Sequence, residues 1–332
     1  MSQKHKVVVA GHVALDITPV FPTEKVYSSV TECMVPGKLI NVGRAEFSVG
    51  GAVSNTGLAM KKLGADVSLM GKIGDDDLGR IILRIYQTYG VGGLILDPNV
   101  STSYTVAIAP PGIDRIFFHD PAANDTFVCE DIQDEAIEGA ELFHFGYPPL
   151  MRSMYENDGE ELLKIYKRIK SKGILTSLDM AAVDPNGESA KTNWRKVLEK
   201  ALPYVDFFVP SLDEILFMLG PDCKDAKSAA DECYRLGANC VLIKCGTDGL
   251  YYKSSEGEGH QTCFNPPFVA SATGAGDTCI AAFLYSQLEG RSVKESAALA
   301  SMEGACCCTA YDTISGLKTI PELEELIRNY GK

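Results

Sequence analysis

Near the end of the chain, Ala272-Thr273-Gly274-Ala275-Gly276-Asp277-Thr278 runs directly into Cys279-Ile280-Ala281-Ala282-Phe283-Leu284. A loop of small residues therefore opens an apolar helix that extends to about Leu288 and Gly290. The first turn of such a helix presents free N–H groups and about half a positive charge, a ready site for an anion. The glycines let main chain approach that anion closely. Asp277 is the odd member, because a carboxylate repels a phosphate unless it has a task beside it. One such task is to take the proton of a hydroxyl that attacks the phosphate. The plainer alternative is an acid that favours the helix dipole, and the residues alone leave the two balanced.

A second feature is Gly50-Gly51-Ala52-Val53-Ser54-Asn55, which opens a helix closing near Gly64. Asn55 would present its amide to a hydroxylated ligand, or merely cap a tight turn. Two competing phosphate motifs fail. Gly71-Lys72 is followed by Ile73, so no Walker A loop is formed. Gly274-Ala275-Gly276 meets Cys279 where a dinucleotide fingerprint needs its third glycine. The histidines show no metal-binding spacing, and no C-x-x-C pair exists among the eleven cysteines.

These residues need a scaffold. Val7–Gly11, Val67–Gly71, Leu142–Gly146, Ile174–Asp179, Val205–Val209 and Val241–Gly246 are short apolar runs of strand length. Between them lie helical periods. Leu78, Ile81, Ile82, Ile85 and Tyr89 end at Gly90, and Leu162, Leu163, Tyr166 and Ile169 precede Gly173. Runs that are apolar throughout indicate strands covered on both faces, hence a doubly wound, mostly parallel α/β sheet. Residues 17–48 and 101–120 break the rhythm. The first carries Pro19, Pro22 and Pro36 with no clear helix, and the second reads as a hairpin around Pro110-Pro111-Gly112. Both are expected to form a small separate sheet, a lid inserted into one domain spanning 1–332.

The chain has 332 residues, 45% of them apolar and 23% charged, enough to build a buried core. Thirty-one basic against 44 acidic groups give a net charge of −13, which argues against nucleic-acid or anionic-membrane partners. No apolar run reaches the ~18 residues of a membrane span. The start, MSQKHKVVVAG, has no signal-peptide character, and the thiols suit a reduced, cytoplasmic protein. For Cys306–Cys308, helix packing is explanation enough.

The segments GGAVSNTGLAMKKLGADVSLMGKIGDDDLG and ATGAGDTCIAAFL, in this order and separation, resemble the two signatures of the PfkB/ribokinase family of sugar and nucleoside kinases. The resemblance covers essentially the whole chain. It implies an ATP-dependent phosphotransferase with Mg2+, a small sugar as acceptor, and a β-sheet lid that in some relatives pairs two copies as a homodimer. Asp277 then resembles the catalytic base, and Gly274, Ala275 and Gly276 the anion hole. Asp16, Gly51 and Asn55 resemble substrate-contacting positions, and Phe118, His119 and Asn124 fall where lid and following loop face substrate. His119 reads equally as a solvated strand residue, the reading preferred here. Lys244, Gly246 and Gly249 resemble the ATP loop, with Lys244 in place of threonine. Glu214 resembles a residue linked indirectly to the metal, although Ser211 replaces the usual asparagine and makes an S-x-x-E capping box. Ala14 and Ala52 depart from ribokinase positions, so strict ribose specificity is not expected. Ser271 replaces the acid that helps hold a monovalent cation, which leaves K+ activation open. A nucleoside kinase and a non-catalytic sugar sensor of the same fold are the alternatives.

Overall fold

In the computed structural model, residues 4–330 are described. The strands form where short apolar runs are bounded by turn residues. The first six are β1 (Lys6–Gly11), β2 (Ala14–Pro19), β3 (Ala45–Gly50), β4 (Asp66–Met70), β5 (Lys72–Gly74) and β6 (Ile95–Asp97). Next come β7 (Tyr104–Ile108), β8 (Ile116–Asp120), β9 (Leu142–Gly146) and β10 (Leu175–Asp179). The last are β11 (Phe207–Phe208), β12 (Cys240–Lys244), β13 (Leu250–Ser254) and β14 (Gly257–Gln261). Eight of them make the main sheet, in the order β14-β13-β12-β11-β10-β9-β1-β4. From β4 to β12 neighbours run parallel, and β13 and β14 add an antiparallel edge.

The central strands are apolar on both sides because both sides are covered. In β1, Val7 and Val9 enter one core and Val8 and Ala10 the other, the period of two that a strand imposes. Helices Ala52–Leu63, Ala275–Leu288 and Val293–Cys307 fill the first core, and Glu160–Ser171, Trp194–Ala201 and Ala226–Arg235 the second. The helix Asp77–Tyr89 ends at Gly90 in the left-handed conformation, as its periodicity foretold. The ladder at 205–209 is shorter than its apolar run, since only Phe207 and Phe208 pair. No helix among the described residues is long and apolar enough to cross a membrane.

A separate four-stranded sheet, β3-β2-β7-β8, comes from the two irregular segments. Its strands begin earlier and end later than 17–48, because β2 starts at Ala14 and β3 runs to Gly50. Within that segment a single-turn helix, Val30–Cys33, forms behind the Ser29 cap. Register decides what this sheet shows to the cleft. Asp16 pairs with Thr105, and Thr105 with His119, so the three share one face. Ile17, Val106, Phe47 and Phe118 share the other. Phe118, expected where the lid faces substrate, therefore lies on the face away from Asp16, since neighbours on a strand point to opposite sides.

The first strand has β4 on one side and β9 on the other, so the chain reverses its direction of winding at the carboxyl ends of β1 and β9. In open α/β sheets that reversal leaves a crevice in which ligands bind. The segments His12–Asp16 and Tyr147–Leu150 leave the sheet there.

Candidate active site

The Ala275–Leu288 helix begins behind Gly274, whose φ of 79° is the left-handed conformation that glycine adopts without strain. A methyl group at 274 would also lie 2.3 Å from Thr313 Cγ2, so the loop is closed against Thr313. Asp277 stands in the first turn of this helix, 5% exposed. It lines a cavity of about 360 Å³ together with Tyr147, Asp179, Glu214, Lys244, Gly274 and Gly276. Burial raises its pKa, and donated hydrogen bonds from Tyr147 and Asn55 and the charge of Lys244 oppose the rise.

The hydrogen bonds on Asp277 are specific. Tyr147 donates its hydroxyl to Oδ1 at 2.8 Å and to Oδ2 at 2.9 Å. Asn55 donates Nδ2 to Oδ2 at 3.0 Å, while its own Oδ1 accepts from Thr313 at 3.2 Å. Of the amides expected to form an anion hole, that of Ala275 bonds the Ala272 carbonyl at 3.3 Å, and Gly274 and Gly276 line the cavity.

Opposite the helix, Lys244 leaves the end of β12 and places Nζ 2.6 Å from Asp179 Oδ1 and 2.6 Å from the Val209 carbonyl. Burial works against its charge, but Asp179 and Glu214 hold its pKa above the ordinary lysine value. Gly246 and Gly249 form the turn just beyond, outside the cavity lining. Gly249 has a local explanation as well, for a side chain there would meet the Gln261 carbonyl at 2.1 Å. Glu214 opens on the cavity and accepts the Ser211 N–H at 2.8 Å, so the capping box forms and the carboxylate still faces the site. Ser271 accepts the Thr273 N–H at 3.2 Å and offers no carboxylate to a monovalent cation. Among the described residues no cluster of three or more His, Cys, Asp or Glu side chains could hold a metal ion.

At the lid end, the Asp16 carboxyl occupies the space over Gly50, 2.3 Å from where a side chain there would begin. Burial pushes its pKa up to about 6, against a hydrogen bond from Thr105. Gly51, φ 84°, turns the chain into the next helix within 2.5 Å of the His12 carbonyl, measured from a side-chain position. His12 is buried and held neutral, its pKa lowered to about 3 by burial and by the neighbouring His119. His119 is exposed, as a solvated strand residue would be, and its nitrogens meet His12 Nε2 at 3.3 Å and Thr105 Oγ1 at 3.0 Å. Asn124 is corrected too. Both ends of its amide bond the Val13 main chain, at 3.1 and 2.9 Å, so it shapes the β1–β2 turn rather than presenting itself to a ligand. Asn55, expected on the substrate, is instead engaged with Asp277.

Several residues of the site went unread in the sequence. Asp179 and Tyr147 sit at the carboxyl ends of central strands, which is the one signal that would have pointed to them. Tyr147 adopts φ 67°, ψ 42° immediately before Pro148, a conformation that costs a non-glycine residue about 1–3 kcal/mol. Arg115, in the β7–β8 turn, donates to Thr273 Oγ1 and so ties the lid to the loop that opens the helix. The eleven cysteines are free, and eight are buried.

A family model described as pfkB family carbohydrate kinase matches residues 4–320. An uncharacterized sugar kinase of Archaeoglobus fulgidus is 27% identical over 262 residues, 78% of this chain and 98% of that protein. Fructokinase-2 of Oryza sativa subsp. japonica is 26% identical over 292 residues, 84% of each chain. Among solved structures, a ribokinase of Thermotoga maritima superimposes with a TM-score of 0.78 at 20% identity, over 98% of this chain and 100% of its own. A ribokinase of Arabidopsis thaliana complexed with ribose and ATP gives 0.77 at 20% identity, over 98% and 99%. These structures share the fold.

Proposed function

Because the chain belongs to the pfkB family of carbohydrate kinases, phosphotransferases with an alcohol acceptor, we propose that Asp277 is its general base and that the donor phosphate lies over the helix it begins. The acceptor is a small sugar held between the lid face of Asp16, Thr105 and His119 and the carboxyl ends of β1 and β9. Asp277 takes the proton of the attacking hydroxyl. The oxygen bonds the γ-phosphorus of ATP while the bond to the bridging oxygen breaks and ADP leaves. Amides around Gly274 and Gly276, with the Lys244 ammonium, stabilise the charge on the transferring group, which is where most of the rate of such a reaction arises.

One observation carries this reading: a buried carboxylate opens on the same cavity as a helix amino terminus and a fixed ammonium. A carboxylate engaged in an inward ion pair would have excluded it. Magnesium fits the donor set in one form only, carried by the nucleotide and largely hydrated, with Glu214 meeting its water shell. When bound it would neutralise phosphate charge. The exposed Phe47 and Phe118 lie on the lid face away from Asp16 and support pairing of two copies through that face. Sedimentation of the wild type and Phe118→Ser tests it.

The deciding experiment measures ADP release with a panel of ketoses, aldoses, polyols, sugar acids and nucleosides. Turnover with neutral sugars is expected. Turnover with nucleosides alone would reassign the acceptor, and sugar binding without turnover by any acceptor would make the protein a sensor on a kinase fold.

A further inference from the structure

Tyr147 has no place in the chemistry above, yet three independent features converge on it. It follows β9 at the winding reversal, its main chain is left-handed immediately before a proline, and its hydroxyl reaches the carboxylate of Asp277. A glycine would make the same turn without strain. A large phenol aimed into a buried polar place needs a partner, and the partner here is the base itself.

A carboxylate oxygen has two lone pairs. Tyr147 has one O–H proton, shared between Oδ1 at 2.8 Å and Oδ2 at 2.9 Å, and Oδ2 also accepts from Asn55 at 3.0 Å. Oδ1 accepts from Tyr147 alone and is the less engaged of the two oxygens. We propose that Tyr147 is a positioning residue for phosphoryl transfer, holding Asp277 so that Oδ1, the less engaged oxygen, receives the proton of the acceptor hydroxyl. This rests on the assignment of Asp277 as general base. The acceptor O–H bond breaks and an Oδ1–H bond forms as the new O–P bond is made. The phenol keeps its own proton throughout, since burial and the charge of Asp277 raise its pKa well above the ordinary tyrosine value.

The same contact favours the ionised form of Asp277 against burial. Its carboxyl faces Tyr147 beyond β9, Asp179 at the end of β10, Glu214 on the helix Leu212–Leu219, Lys244 at the end of β12 and Cys307 on the helix Val293–Cys307. Burial and the two other carboxylates favour the protonated form. Tyr147, Asn55 and Lys244 oppose them.

The test compares kcat and kcat/KM against pH for the wild type, Tyr147→Phe and Tyr147→3,5-difluorotyrosine, each saturated with ATP. A hydrogen bond to a charged group is of the size that moves an ionisation by about one to two pH units. Tyr147→Phe should shift the acid limb upward by that amount, lowering kcat/KM about 10- to 100-fold on the acid side and recovering at higher pH. KM for ATP should stay within about twofold. The fluorinated phenol is nearly isosteric and a stronger donor, so it should move the limb downward, which keeps the test open if Tyr147→Phe does not fold. An unmoved acid limb in either folded variant, or a loss of rate uniform with pH, would overturn the proposal. Faster turnover in Tyr147→Phe would also overturn it, marking the phenol as a placeholder for the acceptor. If the wild type turns over but Asp277→Asn does so equally well, it is the general-base assignment that falls.

Discussion

Replacing Asp277 by asparagine keeps the shape of the side chain and removes its ability to accept a proton. The surroundings accommodate the amide. Asn55 has its carbonyl fixed by Thr313, so its NH2 must continue to point at residue 277. The new amide therefore sets its oxygen in the Oδ2 place, where it accepts from both Asn55 and Tyr147, and its NH2 in the Oδ1 place, facing the cavity. No buried donor is stranded, and a carboxyl that burial disfavours as an anion is gone. The fold should hold, with a melting temperature within a few degrees of the wild type, about 1 kcal/mol or less. Turnover should not. Loss of a general base lowers rates by about 10²- to 10⁴-fold, equivalent to ~3–5 kcal/mol of barrier at 1.36 kcal/mol per decade. A coupled assay of ADP release at saturating ATP and sugar reads kcat, and calorimetric titration reads nucleotide affinity. A variant with kcat within about threefold of the wild type would refute the role of Asp277. A more than tenfold loss of ATP affinity would show that the carboxylate builds the nucleotide site instead.

Other outcomes follow from the same geometry. Asp16→Ala should raise KM for the sugar by about 10- to 100-fold, the loss of hydrogen bonds to a charged group, while KM for ATP moves little. Since Asp16 ionises at about 6, sugar KM in the wild type should fall as pH rises through that value, and equal effects on both substrates would remove Asp16 from the sugar site. Gly274→Ala and Gly276→Ala should separate fold from function. The first combines φ 79° with a methyl 2.3 Å from Thr313 Cγ2, and both melting temperature and kcat should fall. The second meets nothing nearer than Lys244 Cε at 3.6 Å, so stability should hold while the methyl crowds the phosphate and kcat drops about tenfold or more; full activity would place the phosphate elsewhere. Glu303, fully buried and bonded to the Lys318 N–H at 3.2 Å, has its pKa raised by burial to about 8 from an ordinary 4.5. The folded state thus holds the proton more tightly than the unfolded one. Its contribution is complete below pH 4.5 and is lost as pH rises to about 8, at most ~5 kcal/mol. Glu303→Gln should therefore melt higher than the wild type at pH 9 and not at pH 5, and parallel melting curves across that range would refute the sign.

Much of the fold was legible because Val7–Ala10 of β1 is apolar without a break, β9 is apolar but for His144, and the helix Asp77–Tyr89 repeats at 3.6 residues. Such patterns are set by what lies on each face and survive without knowledge of partners. The helix at Asp277 was legible from its glycines. What the sequence could not convey is side-chain pairing across long separations. Asn55 and Asp277 are 222 residues apart, and nothing local indicates that the amide of one is engaged with the other. Asn124 looked available and is occupied by Val13, 111 residues away. Phe118 was credited to the cleft because a resemblance points to a segment, whereas register puts it on the face away from Asp16. Lys244 lines the cavity, but its ion pair with Asp179 had no local sign, since both lie at strand ends that only the sheet brings together.

Several features that local rules penalise meet at the cleft. Tyr147 is left-handed before a proline, Asp277, Asp179 and Glu214 share one cavity with the single ammonium of Lys244, and His12 and His144 are buried neutral rings. His144 bonds Ser177 through Nδ1 at 3.1 Å, and its Nε2, like Nδ1 of His12, has no partner among the described residues. Away from the cleft, Asn157 and Asp158 carry positive φ and Glu303 is buried, while Ser292 and Thr319 open their helices with reciprocal boxes and the central strands alternate cleanly. Packing alone would favour apolar replacements at each penalised position, because unpaired buried polar groups and like charges both cost stability. Their concentration around one crevice, at the point where the sheet reverses its winding, is what strain retained for chemistry looks like. Motif residues alone do not carry that argument, because glycines and an aspartate at a helix start also satisfy a turn and a dipole. The carboxylate at 277 has a second demand on it, a phenol held in a costly conformation to meet it, and a helix start satisfied as a structural element would not need one.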